Sequence, residues 1–243
     1  MSIPESILDF LLPASCIVCG GILNPNEKSI CLDCLSDLPR TFYSSRSHNP
    51  MADRFNSLIQ RDSDGYEPYS YATALFHYRP DSPYSAITKN LKYKRDFPAG
   101  RFFSSLLASE IASSPIFRDV DLVIPVPLHW TRYRARGYNQ AAVIAKTIAS
   151  FLGARIDRRI LRRSRRTATQ TRLGTEEKAL NVRGAFRLVR SGHCQSVLSA
   201  ARHILLVDDV FTTGATLAAC RLALRESFPA DRRISVATLG FVG

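Results

Sequence analysis

Two stretches of the chain are apolar at consecutive positions. They are Asp121–Pro127, which ends at its prolines, and His203–Val207. Side chains that are apolar on both faces are typical of strands in a parallel sheet covered by helices on either side. We therefore predict buried strands at both places, and a last strand at Ile234–Phe241.

Other segments carry apolar residues three or four positions apart, which is the spacing of one helix face. They are residues 102–111, residues 144–152 and a stretch from about Thr216 to Arg225. Gly153 directly follows the second and is typical of a helix C-terminus. Because these helices alternate with buried strands, the pattern predicts an α/β fold with a mainly parallel sheet and helices on both faces, beginning near Tyr71.

The first 70 residues do not follow this alternation. Residues 41–70 are polar and mixed, with no clear period, and we interpret them as a linker between an N-terminal module (residues 1–40) and a main domain (residues 71–243). Residues Pro4–Leu12 have the spacing of an amphipathic helix, and Glu5 and Asp9 argue against an export signal. No segment approaches the ~20 apolar residues of a membrane span. We expect a cytoplasmic protein.

Four of the six cysteines form two Cys-x-x-Cys pairs that are separated by eleven residues. Two residues between thiolates allow both sulfurs to bind one ion, and two such pairs supply the four ligands of a structural zinc site. Gly20 and Gly21 permit the tight turn that follows the first pair. The predicted Zn²⁺ ligands are Cys16, Cys19, Cys31 and Cys34.

Two alternatives to zinc remain for these cysteines, namely two disulfides or a duplicated redox motif. Disulfides imply export, for which the sequence carries no signal, and a redox motif usually occurs once. Because four sulfurs leave no open coordination position, we expect a structural role for the metal. Cys194 and Cys220 lack partners at ligand spacing, and we interpret them as core residues or bystanders.

The charge of the chain is unevenly distributed. The 33 basic and 21 acidic residues give a formal net charge of +12. Between Arg155 and Arg190 there are 11 Arg, 1 Lys and 3 acids, a net charge of +9. Such a surplus favours an anionic partner such as nucleic acid or a phosphorylated metabolite, although a solvated basic hairpin explains it equally well.

The segment ILLVDDVFTTGAT, from Ile204 to Thr216, combines a buried strand, two acids and a Thr/Gly turn into a helix. Backbone amides at a helix start bind phosphate, and Gly214 lets the backbone approach it closely. Adjacent carboxylates accept hydrogen bonds and suit the vicinal hydroxyls of a ribose. An ordinary strand, turn and helix with acidic capping residues would not need so many polar groups. The predicted phosphate and ribose ligands are Asp208, Asp209, Thr212, Thr213, Gly214, Ala215 and Thr216.

This segment resembles the phosphoribosyl-pyrophosphate signature of type I phosphoribosyltransferases. The chain as a whole resembles the ComF family of competence-associated proteins, including its GntX-like members. The resemblance is carried by the four-cysteine head, Leu91-Lys-Tyr93, VIPVPLH followed by RARGYNQ, and LRRSRRTATQTRLGTEEKALNVRGAF before the signature. It implies a type I phosphoribosyltransferase-like sheet and a link to DNA uptake.

The resemblance also implies positions for two loops. The loop after Pro125 and Pro127 is expected to receive pyrophosphate, with Gly137 opening the helix that contains Asn139 and Gln140. Its candidate residues are Pro127, Leu128, Arg132, Arg134 and Arg136. The basic stretch corresponds to the mobile loop that closes over the site in such enzymes, and its matching residues are Arg165, Thr167, Gln170, Asn181 and Phe186. Lys178 stands where Arg is usual, which keeps the charge but loses bidentate contact.

Two functions follow as alternatives. In an enzyme, Mg²⁺ would accompany phosphoribosyl pyrophosphate, and Asp208 or Asp209 would act as catalytic residues by stabilising positive charge on the sugar. In a binding module, the site would hold a phosphate or nucleotide end while the basic stretch contacts single-stranded DNA, together with DNA-uptake proteins such as a helicase. Only Phe186 is aromatic between Arg155 and Arg190, which weakens the second alternative. No residues for an acceptor substrate are recognisable.

Overall fold

A computed structural model describes residues 14–60, 67–164 and 184–243. The amphipathic helix predicted at Pro4–Leu12 lies outside these residues. None of the helices that the structure describes is long and apolar enough to cross a membrane.

The centre of the fold is a five-stranded parallel sheet with the strand order β1-β7-β6-β2-β3. A separate two-stranded antiparallel hairpin is formed by β4 and β5. The strand bounds are β1 Ala72–His77, β2 Leu122–Pro125, β3 Arg155–Ile156, β4 Leu161–Arg163, β5 Phe186–Leu188, β6 His203–Phe211 and β7 Arg233–Phe241. The predicted α/β class with a mainly parallel sheet is confirmed.

The helices lie between the strands and cover the sheet. Their bounds are α1 Leu32–Ser36, α2 Pro50–Gln60, α3 Ser85–Tyr93, α4 Phe97–Ala112, α5 Trp130–Arg136, α6 Gln140–Leu152, α7 Gly192–Ala200 and α8 Ala215–Arg225. A 3-10 turn spans Tyr43–Ser45. The three predicted helices are confirmed as α4, α6 and α8, and Gly153 ends α6 with φ of 63° as expected.

The central strand β6 is longer than its apolar run predicts. Asp208, Val210 and Phe211 continue to pair with β7, opposite Thr238, Gly240 and Phe241. The strand therefore carries both acids within its hydrogen-bonded length. In the apolar run before them, alternate side chains enter two separate apolar clusters. Ile204 and Leu206 face the cluster that includes α2, α7 and α8, and Leu205 and Val207 face the one that includes α4 and α6.

Part of the segment interpreted as a linker belongs to the core. Helix α2 buries Met51, Ala52, Phe55 and Ile59 in the same apolar cluster as α8. Asn49 fixes the start of this helix, since its side-chain oxygen accepts from the backbone amide of Ala52 at 2.9 Å. The linker interpretation is therefore wrong for this helix, because its apolar face is spaced for burial although its surroundings in sequence are polar.

The N-terminal module packs against the opposite face of the sheet. Cys16, Ile30 and Leu38 are buried in the cluster that includes α4 and α6. The hydroxyl of Tyr84 donates to the carbonyl of Cys34 at 2.9 Å, which joins the module to the start of α3. The backbone amide of His77 donates to the carbonyl of Pro39 at 2.8 Å. The cysteine module thus rests on the main sheet in this structure.

The burial of α2 gives a direct test of its place in the core. Phe55 is fully buried, so replacing Phe55 by Ala should lower the free energy of unfolding by about 3–5 kcal/mol. Gln60→Ala, an exposed change on the same helix, should alter it by less than about 0.5 kcal/mol. Urea unfolding of both variants makes the comparison. Equal stabilities would show that α2 is a dispensable linker.

Candidate functional site

The two acids of the signature lie on opposite faces of β6, as adjacent strand residues must. Asp209 is 4% exposed, and its carboxylate oxygen Oδ2 lies 2.6 Å from Nζ of Lys92 on α3. Asp208 is partly exposed, and its Oδ1 accepts from the backbone amide of Asp209 at 2.9 Å. The carboxylates are therefore neighbours that are held by different parts of the protein.

Lys92 stays charged although most of its side chain is covered. Burial alone would lower the pKa of this lysine, but the nearby carboxylates of Asp209 and Asp208 raise it above its ordinary value. The ammonium of Lys92 consequently balances the carboxylate of Asp209 inside the protein. A buried carboxylate without such a partner would cost several kcal/mol.

Asp208 takes up a proton more easily than an ordinary aspartate does. Removal from water, and then the negative charge of Asp209, raise the pKa of Asp208 to about 8. The backbone amide of Asp209 and the charge of Lys92 oppose this rise without cancelling it. Near neutral pH the acid pair therefore carries less than two negative charges, which makes it a weaker barrier to an anionic ligand.

The Thr/Gly turn after β6 is tight and requires glycine. Gly214 has φ of 81°, and a Cβ placed on it would lie 2.5 Å from Cζ of Phe211 and 2.9 Å from Cδ1 of Leu58. Helix α8 begins at Ala215 with Gly214 as its N-cap, so no side chain caps its first turn. Arg54 fixes the turn from below by donating to the carbonyl of Thr212 at 3.3 Å. The start of α8 thus presents backbone amides at the same edge as the acids.

The predicted pyrophosphate residues lie on a helix rather than in a loop. Pro127 and Leu128 follow β2 and line a cleft, and Arg132, Arg134 and Arg136 lie on α5. Gly137 does not open the next helix, as was predicted, but ends α5 in a left-handed conformation with φ of 82°. Asn139 caps α6 instead, and its side-chain amide donates to the carbonyl of Val126 at 2.9 Å. A role for these residues with pyrophosphate stays a prediction.

The residues predicted for a mobile loop are partly outside the described chain. Arg165, Thr167, Gln170, Lys178 and Asn181 lie outside it. Both ends of the segment are described, since β4 and β5 pair with Arg163 opposite Phe186. The guanidinium of Arg163 lies 5.1 Å from the ring centre of Phe186. Burial and then the charge of Arg132 lower the pKa of Arg163, while the charge of Asp208 raises it, so this arginine lies in the field of the acid pair.

A large cleft opens beside the end of β2, between α5, α6 and β4. Its volume is about 1000 Å³. Among the described residues, its walls include basic and aromatic side chains and no acid, and the basic ones are Arg101, Arg134, Lys146, Arg158, Arg162 and Arg163. Trp130, Tyr133 and Phe151 are 59%, 52% and 50% exposed. The guanidinium of Arg134 lies 5.1 Å from the ring centre of Trp130. The cleft is therefore a positive surface with exposed aromatic faces.

The four cysteines of the N-terminal module converge as predicted. The sulfurs of Cys16, Cys19, Cys31 and Cys34 all lie within 4.8 Å of one another, and those of Cys19 and Cys31 are 3.8 Å apart. All of these cysteines are free thiols, as are Cys194 and Cys220, which are buried in the core. Burial raises the pKa of Cys16, but hydrogen bonds from the backbone of Cys19, Cys31 and Val18 outweigh it and lower this pKa to about 6. The cluster can hold a metal ion.

Sequence reasoning missed three contributors to the site. Lys92 was recognised only as part of the Leu91-Lys-Tyr93 match, and its role follows from a contact distant in sequence. The exposed faces of Trp130 and Tyr133 were missed because stacking aromatics were expected only between residues 155 and 190. The aromatic residues beside the predicted pyrophosphate arginines were the signal that would have indicated both.

These features agree with what the chain is similar to. It is 30% identical over 206 residues to the DNA utilization protein YhgH of Escherichia coli O6:H1, covering 84% of this chain and 80% of that protein. It is 26% identical to competence protein F of Haemophilus influenzae, covering 87% and 90%. It is 28% identical to competence protein ComFC of Streptococcus pneumoniae, covering 58% and 56%. The chain belongs to this ComF family, as its sequence motifs imply.

Two further comparisons add little. No model of a known protein family matches the chain. Among solved structures, TT1426 from Thermus thermophilus gives a TM-score of 0.32 at 17% identity, covering 59% of this chain and 83% of that one. This likeness is too weak to define the fold.

Proposed function

We propose that the acid pair and the start of α8 bind phosphoribosyl pyrophosphate or a related ribose 5-phosphate compound. The observation that carries this proposal is the arrangement at the end of β6, where two carboxylates precede a glycine turn and an uncapped helix start. The 5-phosphate would receive the backbone amides and hydroxyls of residues 212–216. The ribose hydroxyls would donate to Asp208 and Asp209.

The basic groups around the acid pair suit a ligand with more than one anionic group. Lys92 approaches from α3, and Arg163 approaches from β4. Arg132 and Arg136 lie on α5, whose other neighbours include Tyr93, since the guanidinium of Arg136 lies 5.5 Å from that ring centre. Guanidinium groups bind phosphate oxygens through paired hydrogen bonds and keep their charge at any physiological pH.

In a transfer reaction the bond between C1 and pyrophosphate would break, and a new bond from C1 to the acceptor would form. Mg²⁺ bound between pyrophosphate and ribose oxygens would neutralise the departing charge. The sugar becomes positively charged as pyrophosphate leaves, and the carboxylates of Asp208 and Asp209 would stabilise that charge. Closure of the segment between β4 and β5 would exclude water, which otherwise competes with the acceptor.

A second candidate function is single-stranded DNA binding in the cleft beside α5. The relatives are a DNA utilization protein and competence proteins, which supports a link of this chain to DNA uptake. A groove with basic groups on its walls and exposed aromatic rings is what strand binding without sequence preference requires. We place this function in the cytoplasm, together with uptake proteins such as a helicase.

We further propose that the cysteine cluster holds one structural Zn²⁺. A tetrahedral site with Zn–S bonds of about 2.3 Å places its sulfurs about 3.8 Å apart, close to the separation of Cys19 and Cys31. Such an ion would hold the module in shape on the main sheet, because the module has few apolar residues of its own.

Ligand binding at the acid pair can be tested by calorimetry with phosphoribosyl pyrophosphate and Mg²⁺. The double change Asp208→Asn and Asp209→Asn keeps the size of both side chains but removes their charge. Each lost hydrogen bond to a charged group typically costs ~1.5–3 kcal/mol, so affinity should fall at least about tenfold. Asp231→Asn, an exposed change before β7, should bind like the wild type. No binding of phosphoribosyl pyrophosphate or ribose 5-phosphate by the wild type would refute the proposal.

The DNA-binding groove can be tested by titrating a fluorescent single strand at several salt concentrations. Trp130→Ala should weaken binding by about 1–3 kcal/mol, the usual cost of losing one stacked base. Arg158→Ala with Arg162→Ala should flatten the dependence of affinity on salt. Phe42→Ala is a matched control, because Phe42 is also exposed beneath an arginine but lies away from the groove. Equal losses from Trp130→Ala and Phe42→Ala would argue against the groove.

The metal proposal can be tested by elemental analysis of protein purified under reducing conditions without chelator. About one zinc per chain is expected, because the four sulfurs make one closed site. Cys31→Ser should lose the metal and lower the melting temperature, whereas Cys220→Ser, outside the cluster, should keep the metal. Wild-type protein without zinc would contradict the assignment.

A further inference from the structure

Lys92 joins the acid pair to α3, a helix that lies far in sequence from the segment Ile204–Thr216. Its Nζ lies 2.6 Å from Oδ2 of Asp209, and its side chain is 26% exposed. An ammonium carries three N–H donors, and a single carboxylate contact uses one of them. The partial exposure leaves a face of this cation toward the ligand side of the acid pair. Lys92 can therefore hold Asp209 and a second acceptor together.

The backbone that carries Lys92 is fixed by the residue before it. The carbonyl of Leu91 accepts a hydrogen bond from the hydroxyl of Tyr138, which follows α5. The side chain of Leu91 is fully buried against Gly100 on α4, where a Cβ would lie 2.5 Å from Cδ1 of Leu91. Because both contacts hold Leu91, the ammonium of Lys92 starts from a defined position rather than from a mobile chain end.

The position of Lys92 complements the other cations of the site. Arg163 reaches the field of Asp208 from β4, whereas Lys92 reaches Asp209 from α3 on the opposite face of β6. The 5-phosphate of a sugar has its own receptor in the amides that follow β6. A cation at the acids themselves is therefore placed for a different anionic group, one that is attached to the sugar ring near its hydroxyls.

We propose that Lys92 is a ligand-binding residue that bridges Asp209 and an anionic group at C1 of the sugar, so that the site prefers a diphosphate at C1 over an unsubstituted sugar. The inference rests on the proposed function and names the group that determines specificity. Lys92 selects the donor by charge, while Asp208 and Asp209 recognise the ribose hydroxyls that both compounds share.

The test compares two probes, phosphoribosyl pyrophosphate and ribose 5-phosphate, each with Mg²⁺, by calorimetry. Lys92→Met should weaken binding of the diphosphate about tenfold or more, which is the usual loss of a charged hydrogen bond. The same change should weaken binding of ribose 5-phosphate by no more than about twofold, because that probe lacks the C1 anion. Lys92→Arg, which keeps the charge, should preserve the preference for the diphosphate.

Lys89→Met is the matched control on the same helix, since Lys89 donates to the carbonyl of Pro80 at 3.0 Å and is exposed. It should leave both affinities unchanged. If Lys92→Met does not fold, Lys92→Gln carries the comparison, because it keeps a donor for Asp209 without the charge. Equal losses for both probes, or no loss for the diphosphate, would overturn the role of Lys92 alone. A wild-type protein that binds neither probe would overturn the proposed function as well.

Discussion

The parallel pairing of β6 with both of its neighbours is the constraint on which the rest of the site depends. Val207 lies opposite Pro125 on β2 and opposite Ala237 on β7, so the three strands run in register toward one edge. The amide of Val126 donates to the carbonyl of Val207 at 2.8 Å, which continues the pairing past the end of β2. Parallel strands bring their carboxyl ends together, and ligands of open α/β sheets bind there. The acids, the glycine turn and α5 meet for that reason.

The electrostatics of the site follow from this placement. Carboxylates at the end of a covered central strand lose water, and each needs compensation from outside the strand. Helix α3 supplies Lys92 to one face and the hairpin supplies Arg163 to the other, while Asp208 responds with a raised pKa. The surrounding cations and the partly protonated acid make the edge receptive to anions, which a bare pair of ionised carboxylates would repel.

The sequence predicts those parts of the molecule whose information is local. Helices α4, α6 and α8 have regular apolar faces, and the signature between Ile204 and Thr216 is one continuous segment, so both could be recognised. The pairing of Lys92 with Asp209 depends on how α3 packs on the sheet, which no local pattern encodes. Helix α2 was missed because its buried face, centred on Phe55, is short and lies between polar runs.

Helix α5 explains how the two candidate functions can occupy one protein. Arg132 and Arg136 are four residues apart and therefore share one side of this helix. Tyr133 and Arg134 lie three and four positions after Trp130, which places these three residues together on another side, where they line the cleft. A phosphorylated sugar at the acids and a strand in the cleft would thus contact different faces of the same seven residues. Because Arg163 lines the cleft and also lies in the field of Asp208, charge that binds at one place is felt at the other. The geometry therefore favours two adjacent sites that influence each other over two competing uses of one site.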